Sequence, residues 1–295
     1  MAQSGQVWID GKFVDKAEAS ISVFDHGLLY GDGVFEGIRV YSGRILKLRT
    51  HLERLFESAH SIYLNIGHSI DDVERIVRSA VTHNRVGDGY IRLIVTRGVG
   101  PLGVNPLQCP KASLIVITDS LAVYPAAHYE QGISLATAST LQKHPMSLNP
   151  RVKSLNYLPN MMAKLESIRA GADEAVLLNS LGFVTECVGE NLFIVNRIEG
   201  REVITTPPVE AGILLGVTRG IVMKLAAELG YEVREANLTR HDLFAADEIF
   251  LTGTGAEIVP VNKYDGHNVS GGKPGPCTRK LMEAYRGMLK SAPED

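Results

Sequence analysis

Apolar and polar positions alternate from the start of the chain. Val7-Trp8-Ile9 and Lys12-Phe13-Val14 flank Asp10-Gly11, a pair suited to a two-residue turn, so the spacing predicts a hairpin. A second hairpin is predicted with Ser42-Gly43 at its tip, between Gly33–Tyr41 and Arg44–Leu48. The period then changes to three and four. Leu52, Leu55, Phe56, Ala59 and Ile62 mark one amphipathic helix. Val73, Ile76, Val77 and Ala80 mark a second, which opens at Ser69 with Asp72 three residues on, the pattern of a capping box. Strands Tyr90–Thr96 and Ser113–Thr118 follow.

From Asp119 to Gln131 no period is evident, and Pro125, Ala126 and Ala127 interrupt the chain. This segment, 119–131, is the expected linker between a small N-terminal domain, 1–118, and a larger C-terminal domain, 132–295. The latter mixes strands at Ile133–Ala138, Glu174–Leu178, Asn191–Val195, Glu248–Thr252 and Ile258–Val261 with helices at Leu155–Ala170, Val217–Leu229 and Thr278–Leu289. Regular βαβ alternation is missing, so an α+β chain of two domains fits better than a doubly wound fold.

Composition narrows the function classes. The 295 residues are 45% hydrophobic and 21% charged, an ordinary globular balance. With 30 basic against 33 acidic residues and no basic run, a nucleic-acid partner is not expected. No apolar stretch approaches the ~20 residues that cross a bilayer, and Met1 to Asp10 lacks the pattern of a signal peptide. The cysteines Cys109, Cys187 and Cys277 are far apart, which argues against a disulfide framework or thiolate zinc site and for a reducing, cytoplasmic setting. No metal is expected.

Gly98-Val99-Gly100-Pro101-Leu102-Gly103 matches a dinucleotide-binding pattern, with Asp119 downstream. That chemistry needs a helix starting on the glycines, and Pro101, Pro106 and Pro110 forbid one, so a surface loop is expected. Pro274 after Lys273 defeats a P-loop in the same way.

Four other segments make sense together. Lys153, in Arg151-Val152-Lys153-Ser154-Leu155-Asn156-Tyr157, sits at the edge of a predicted helix; Schiff-base chemistry needs an accessible neutral amine, and a neighbouring cation such as Arg151 would help in that direction. Val184-Thr185-Glu186-Cys187-Val188-Gly189-Glu190-Asn191 puts acids and an amide in a turn between apolar strands, where a carboxylate can pair with a protonated ring nitrogen. Leu214-Leu215-Gly216-Val217-Thr218-Arg219 opens a helix in the manner of a phosphate site. Thr252-Gly253-Thr254-Gly255-Ala256 offers backbone amides to an anion. Singly, each has a plainer reading: a snorkelling lysine, a decorated hairpin, a helix cap, a loop.

These segments, in this order, resemble the fold-type IV pyridoxal-phosphate enzymes, and within them the branched-chain amino-acid aminotransferases. Phe24 through Arg39 looks like that family's N-terminal signature, Arg49 heads its first helix, and Tyr90-Ile91-Arg92 and Gly103-Val104-Asn105-Pro106 match its substrate-side strand and a loop that reaches a neighbouring subunit. The resemblance runs through nearly the whole chain. It implies a fold like that of D-amino-acid aminotransferase, with a small α/β N-terminal domain and a larger pseudo-barrel C-terminal domain. It implies pyridoxal 5'-phosphate as cofactor, with Lys153 forming the Schiff base and then moving the proton, Glu186 pairing with the pyridinium nitrogen and Tyr157 with the phenolic oxygen. Arg49, Leu214, Val217, Thr218 and Thr254 complete the cofactor contacts. For the substrate it implies Gly255 and Ala256, with Thr254, at the carboxylate, aided by Tyr90 and Arg92, while Tyr30, Phe35, Gly37, Arg39 and Val104 shape the side-chain pocket. Small amino and 2-oxo acids are the implied partners, in a homo-oligomer of at least a dimer, with a hexamer compatible.

Cys187 and Gly255 stand where relatives more often have Gly and Ala; Gly255 costs its turn at most about 1 kcal/mol of backbone entropy. The implied reaction is reversible transamination of Leu, Ile or Val with 2-oxoglutarate. The rivals on the same fold are a D-amino-acid aminotransferase, an aminodeoxychorismate lyase and an (R)-amine transaminase, and a non-catalytic vitamin B6-binding scaffold is a rival of another class.

Overall fold

The computed structural model describes residues 5–120 and 123–291. Leu121 and Ala122, in the predicted linker, and the Met1–Ser4 stretch lie outside the described residues. The chain divides into two compact units. One runs to Leu121 and takes in Val152–Asn156; the other comprises Ala122–Arg151 and Tyr157–Ala292.

In the first unit, β1 (Gln6–Ile9) and β2 (Lys12–Asp15) form the predicted hairpin, with Asp10 and Gly11 both at positive φ, as a twist-matched two-residue turn requires. A short helix α1 (His26–Tyr30), capped by the Asp25 side chain, leads into β3 (Gly33–Tyr41) and β4 (Arg44–Ile45). Then come α2 (Leu48–Ser61), α3 (Ile70–His83), β5 (Gly89–Thr96) and β6 (Ser113–Asp119). The capping box of Ser69 and Asp72 starts α3 as expected. The strands form one six-stranded sheet in the order β2-β1-β6-β5-β3-β4. Leu48, Leu52, Leu55 and Ala59 of α2 and Val73, Val77 and Ala80 of α3 bury against Val34, Ile38, Val40, Ile91, Leu93 and Val95, so both helices cover one face of it. The loop Gly98–Gly103 carries no helix, and a 3-10 turn follows at Pro106–Gln108.

The second unit begins with α4 (Ala126–Gln131), which gives regular structure to part of the predicted linker, and continues with β7 (Ile133–Thr137). Helix α5 (Leu158–Arg169) starts later than the predicted Leu155. Pro159 explains this: proline fits only the first turn of a helix, and so marks where α5 begins. Lys153 therefore lies on extended chain, not at the helix edge. Next follow β8 (Glu174–Leu178), β9 (Val184–Cys187), β10 (Asn191–Ile198), β11 (Arg201–Thr206), α6 (Val217–Glu228), β12 (Glu232–Glu235) and α7 (Arg240–Ala245). The unit ends with β13 (Glu248–Gly253), β14 (Glu257–Tyr264), β15 (His267–Asn268) and α8 (Pro276–Ser291).

The pairings β10–β13–β14–β7–β8–β9 return to β10 through Glu186 and Asn191, so six strands close into a barrel. Leu192, Val184, Leu251, Val259, Ile133 and Val176 fill one apolar cluster; Phe193, Phe250 and Val195 point the other way, against α6 and α8. Strand alternation thus gives the barrel wall an interior face and a helix-covered face.

Candidate active site

In the first unit, Val152–Asn156 adds to the free edge of β3. Ser154 bridges Val34 in antiparallel fashion, the Phe35 amide donates to Lys153 O (3.0 Å), and the Leu155 amide donates to Gly33 O (2.9 Å). Lys153 is therefore the cross-strand partner of Phe35 and shares its face of the sheet. Its Nζ lies 4.7 Å from the centre of the Phe35 ring. The register of β3 with β5 places Gly37 opposite Arg92 and Arg39 opposite Tyr90, so all of these point to the side away from the two helices. The Arg92 guanidinium stacks over Phe35 (4.6 Å) and Tyr90 (5.6 Å), and Arg39 lies over Tyr41 (5.0 Å). A Cβ at position 37 would stand 1.8 Å from Tyr90 Oη, so only glycine lets that phenol lie across β3.

The opposite face anchors this platform. Glu36 is fully buried, accepting from Arg54 Nε (2.7 Å) and Nη2 (2.8 Å) and bonding His51 Nδ1 (2.8 Å). Burial pushes the Glu36 carboxyl up, but Arg54 and His51 outweigh it and hold it well below the usual carboxylate range. Burial, opposed by Glu36, lowers the His51 pKa, with Arg54 and Lys153 adding to the effect. Ser58, on the same face of α2, accepts from the Lys153 amide at 3.2 Å. The pattern 51, 54, 58 is one stripe of a helix.

The remaining expected residues of this unit are dispersed. Arg49, in the first turn of α2, is ion-paired with Asp71 and Glu74. Tyr30 accepts from the Gly103 amide (2.9 Å), and Val104 is 84% exposed on that loop.

In the second unit, Glu186 stands at the seam of the barrel. Its carboxylate accepts from Gln142 Nε2 (2.8 Å), the Leu214 amide (2.9 Å) and Asn191 Nδ2 (3.2 Å). Lys143 N donates to Gln142 Oε1, which fixes the amide so that its NH2 meets Glu186. Glu186, Asn191 and Thr252 are successive cross-strand neighbours and share the helix-covered face. Helix α6 begins beside this row: its N-cap is Gly216, where a Cβ would lie 2.0 Å from Asn191 Oδ1. Glycine supplies no side-chain cap, so the first-turn amides of Val217 and Thr218 face outward from the helix start. Tyr157 precedes α5, with the Lys143 ammonium 5.1 Å from its ring centre. Thr254, Gly255 and Ala256 form the tip of the β13–β14 turn.

Sequence reading missed Gln142, Ser58 and the Glu36–His51–Arg54 set. Gln142 belongs to no periodic segment. Ser58 and His51 do lie on the buried stripe of α2, where a polar residue among leucines is a signal that could have found them. Leu214, expected as a cofactor contact, lends its amide to Glu186.

The cofactor fit rests on an orphaned atom and a donor set. Thr252 Oγ1 is buried with no hydrogen-bond partner among the described residues, on the face shared with Glu186. Beside it are a carboxylate suited to a ring N–H and helix amides suited to a phosphate. Amine chemistry on a phosphate-bearing aromatic aldehyde uses such groups, which places the chain among pyridoxal-phosphate enzymes. Comparison then gives the family. The chain belongs to the class IV amino-transferases, whose family model matches residues 33–264. It is 47% identical over 281 residues, 95% of each protein, to a putative branched-chain-amino-acid aminotransferase of Methanocaldococcus jannaschii. Its fold matches the branched-chain amino acid aminotransferase of Escherichia coli (TM-score 0.93, 35% identity, 97% of this chain and 95% of that one). It also matches the T.th. branched-chain amino acid aminotransferase complexed with N-(5'-phosphopyridoxyl)-L-glutamate (TM-score 0.91, 36% identity, 99% and 96%).

Proposed function

We propose that this protein carries out pyridoxal-phosphate-dependent amino transfer between Leu, Ile or Val and 2-oxoglutarate, giving branched-chain 2-oxo acids and L-glutamate. The observation that carries the reading is the platform on the first sheet: an amine, Lys153, over an aromatic ring, with a guanidinium and a phenol beside it on one face. An aliphatic side chain finds apolar surface on Phe35, and the carboxylate of a glutamate substrate finds Arg92 and Arg39 with the Tyr90 hydroxyl. One platform can thus serve both amino acids in turn.

When bound, the cofactor supplies the electron sink that makes the substrate's Cα proton removable. Lys153, whose amine would also hold the cofactor, is the residue that would take up and return that proton. Glu186 holds the ring-nitrogen proton in place, and Tyr157 hydrogen-bonds the phenolic oxygen. Arg49, Val217, Thr218 and Thr254 take the phosphate. Gly255 and Ala256 offer amides to the substrate carboxylate, and Tyr30 and Val104 line the side-chain pocket of a partner subunit. Leu102, Val104 and Leu107, 71%, 84% and 87% exposed, support association of at least two copies through this loop. The domain division at 119–131 and a cytoplasmic setting, supported by three free cysteines, belong to the same reading.

The test is a panel of amino acids against the near-visible absorbance of the lysine-bound cofactor. L-valine bleaches the band and D-alanine does not; the reverse result sinks the branched-chain reading. Lys153→Ala removes the borohydride-sensitive band and lowers kcat by about 10⁴-fold or more. A variant that kept the band would remove Lys153 from its role.

A further inference from the structure

The turn from Glu186 to Asn191 has a second face. Where Glu186 looks outward, Cys187 is buried on the barrel's interior side. There Tyr124 Oη lies 3.3 Å from Glu190 Oε1 and 3.4 Å from Glu174 Oε2. Glu190 is 7% exposed and Glu174 4%. A phenol has one proton to give, and two carboxyl groups brought this near, away from water, do not both ionise readily. Lys164 Nζ lies 2.9 Å from Glu174 and the Ala175 amide donates to it at 2.8 Å, so the cation belongs to Glu174. Glu190 keeps the Gly189 amide at 3.2 Å and the Tyr124 hydroxyl. Its main-chain carbonyl accepts from Cys187 N (2.8 Å), and its Cγ would be 3.2 Å from a Cβ at Gly253. The turn is gripped through this side chain.

The groups facing Glu190 are Glu174 from β8, Lys164 from α5, Cys187 from β9 and Tyr124 from the chain before α4. Burial and then Glu174 push its carboxyl up to about 8. The Tyr124 phenol and Cys187 thiol are pushed up by burial and the same carboxyl groups.

We propose that Glu190 is a positioning residue that works as a carboxylic acid: sharing a proton with Glu174 by way of Tyr124, it braces the turn that presents Glu186 to the cofactor, and loss of that proton in alkali loosens the turn. The inference rests on the role given to Glu186 above.

Glu190→Gln keeps the shape and stays neutral at every pH. In the folded state Glu190 binds its proton more tightly than in the unfolded chain. Its contribution to stability is therefore full below the unfolded value of about 4.3 and is lost as pH rises through the folded value. Cofactor-free wild-type protein is expected to lose several degrees of Tm between about pH 5 and about pH 9, and Glu190→Gln clearly less. Over pH 7 to 9 the Kd for pyridoxal 5'-phosphate, read by absorbance titration, rises about tenfold more in wild type than in Glu190→Gln. Glu190→Leu is the packing control and lowers Tm by a similar amount at every pH. Parallel Tm profiles for wild type and Glu190→Gln, or parallel Kd profiles, overturn the proposal. Glu186→Gln separates the two readings. If it leaves the bound cofactor's spectrum unchanged, the role of Glu186 fails, while the Tm comparison still decides whether Glu190 works as an acid.

Discussion

The two units present their candidate residues by different physical means. On the first sheet, Phe35, Gly37, Arg39, Tyr90, Arg92 and Lys153 share a face because strands alternate sides and the β3–β5 register pairs odd positions with even ones. At the barrel seam, Glu186 is aimed by Gln142, Asn191 and Leu214, which lie 44, 5 and 28 residues away along the chain. The first arrangement is carried by backbone pairing and tolerates the loss of single side chains. The second depends on side chains meeting across closed strands, so removing one donor changes the rest. A face set by register should respond to crowding; a seam set by hydrogen bonds should respond to deletion.

The largest effect expected from that contrast tests its first half. Gly37→Ala puts a Cβ where Tyr90 Oη now lies, 1.8 Å away. Tyr90 is only half-buried and can swing aside, so the fold survives and function bears the loss. We expect kcat/KM for L-valine to fall by roughly 10- to 200-fold, the range one methyl group commands in a binding pocket, with most of the change in KM. In a Tyr90→Ala background the same change should cost little, because the clash is gone. Additive losses in the double variant would show that Gly37 is needed for something other than the path of Tyr90.

Deletion at the seam comes next. Gln142→Leu removes the donor to Glu186 Oε1, a hydrogen bond to a buried charged group, a loss of about 1–3 kcal/mol in unfolding free energy. Urea unfolding of the cofactor-free protein measures it, and cofactor affinity should weaken in parallel. Unchanged affinity with lowered stability would mean that Gln142 supports the fold and leaves the aim of Glu186 untouched.

The same contrast explains what could be read from sequence. Hairpins, both amphipathic helices of the first unit and the strands of its sheet were legible, since period and turn residues are local signals. Lys153 stands out in the sequence only through its company, and the predicted helix begins beside it at Leu155 because Leu155 and Leu158 continue the helical spacing of α5; Pro159 sets the true start. Strand β11 opens on Arg201-Glu202 and ends in threonines, and β12 is four residues with three of them charged, so neither carries a clear apolar alternation. Tyr124 fell in a stretch that looked like a linker, yet it joins Glu174 and Glu190, 50 and 66 residues on. Contacts of that separation leave no periodic trace, and the barrel seam consists of little else.

The smallest expected effect concerns Ser58, a place where the first unit uses a side chain to hold the Lys153 backbone. Its Oγ accepts from the Lys153 amide at 3.2 Å, a long bond, and the segment is also held by the Phe35 amide to Lys153 O and the Leu155 amide to Gly33 O. Ser58→Ala takes that acceptor from a half-buried amide and should cost about 1 kcal/mol of stability. Because register still fixes which face Lys153 takes, kcat should drop only a fewfold. A fall in kcat of about a hundredfold, at the scale of a lost catalytic group, would show that the lysine is aimed by side-chain contact after all, and the distinction between the two regions would collapse.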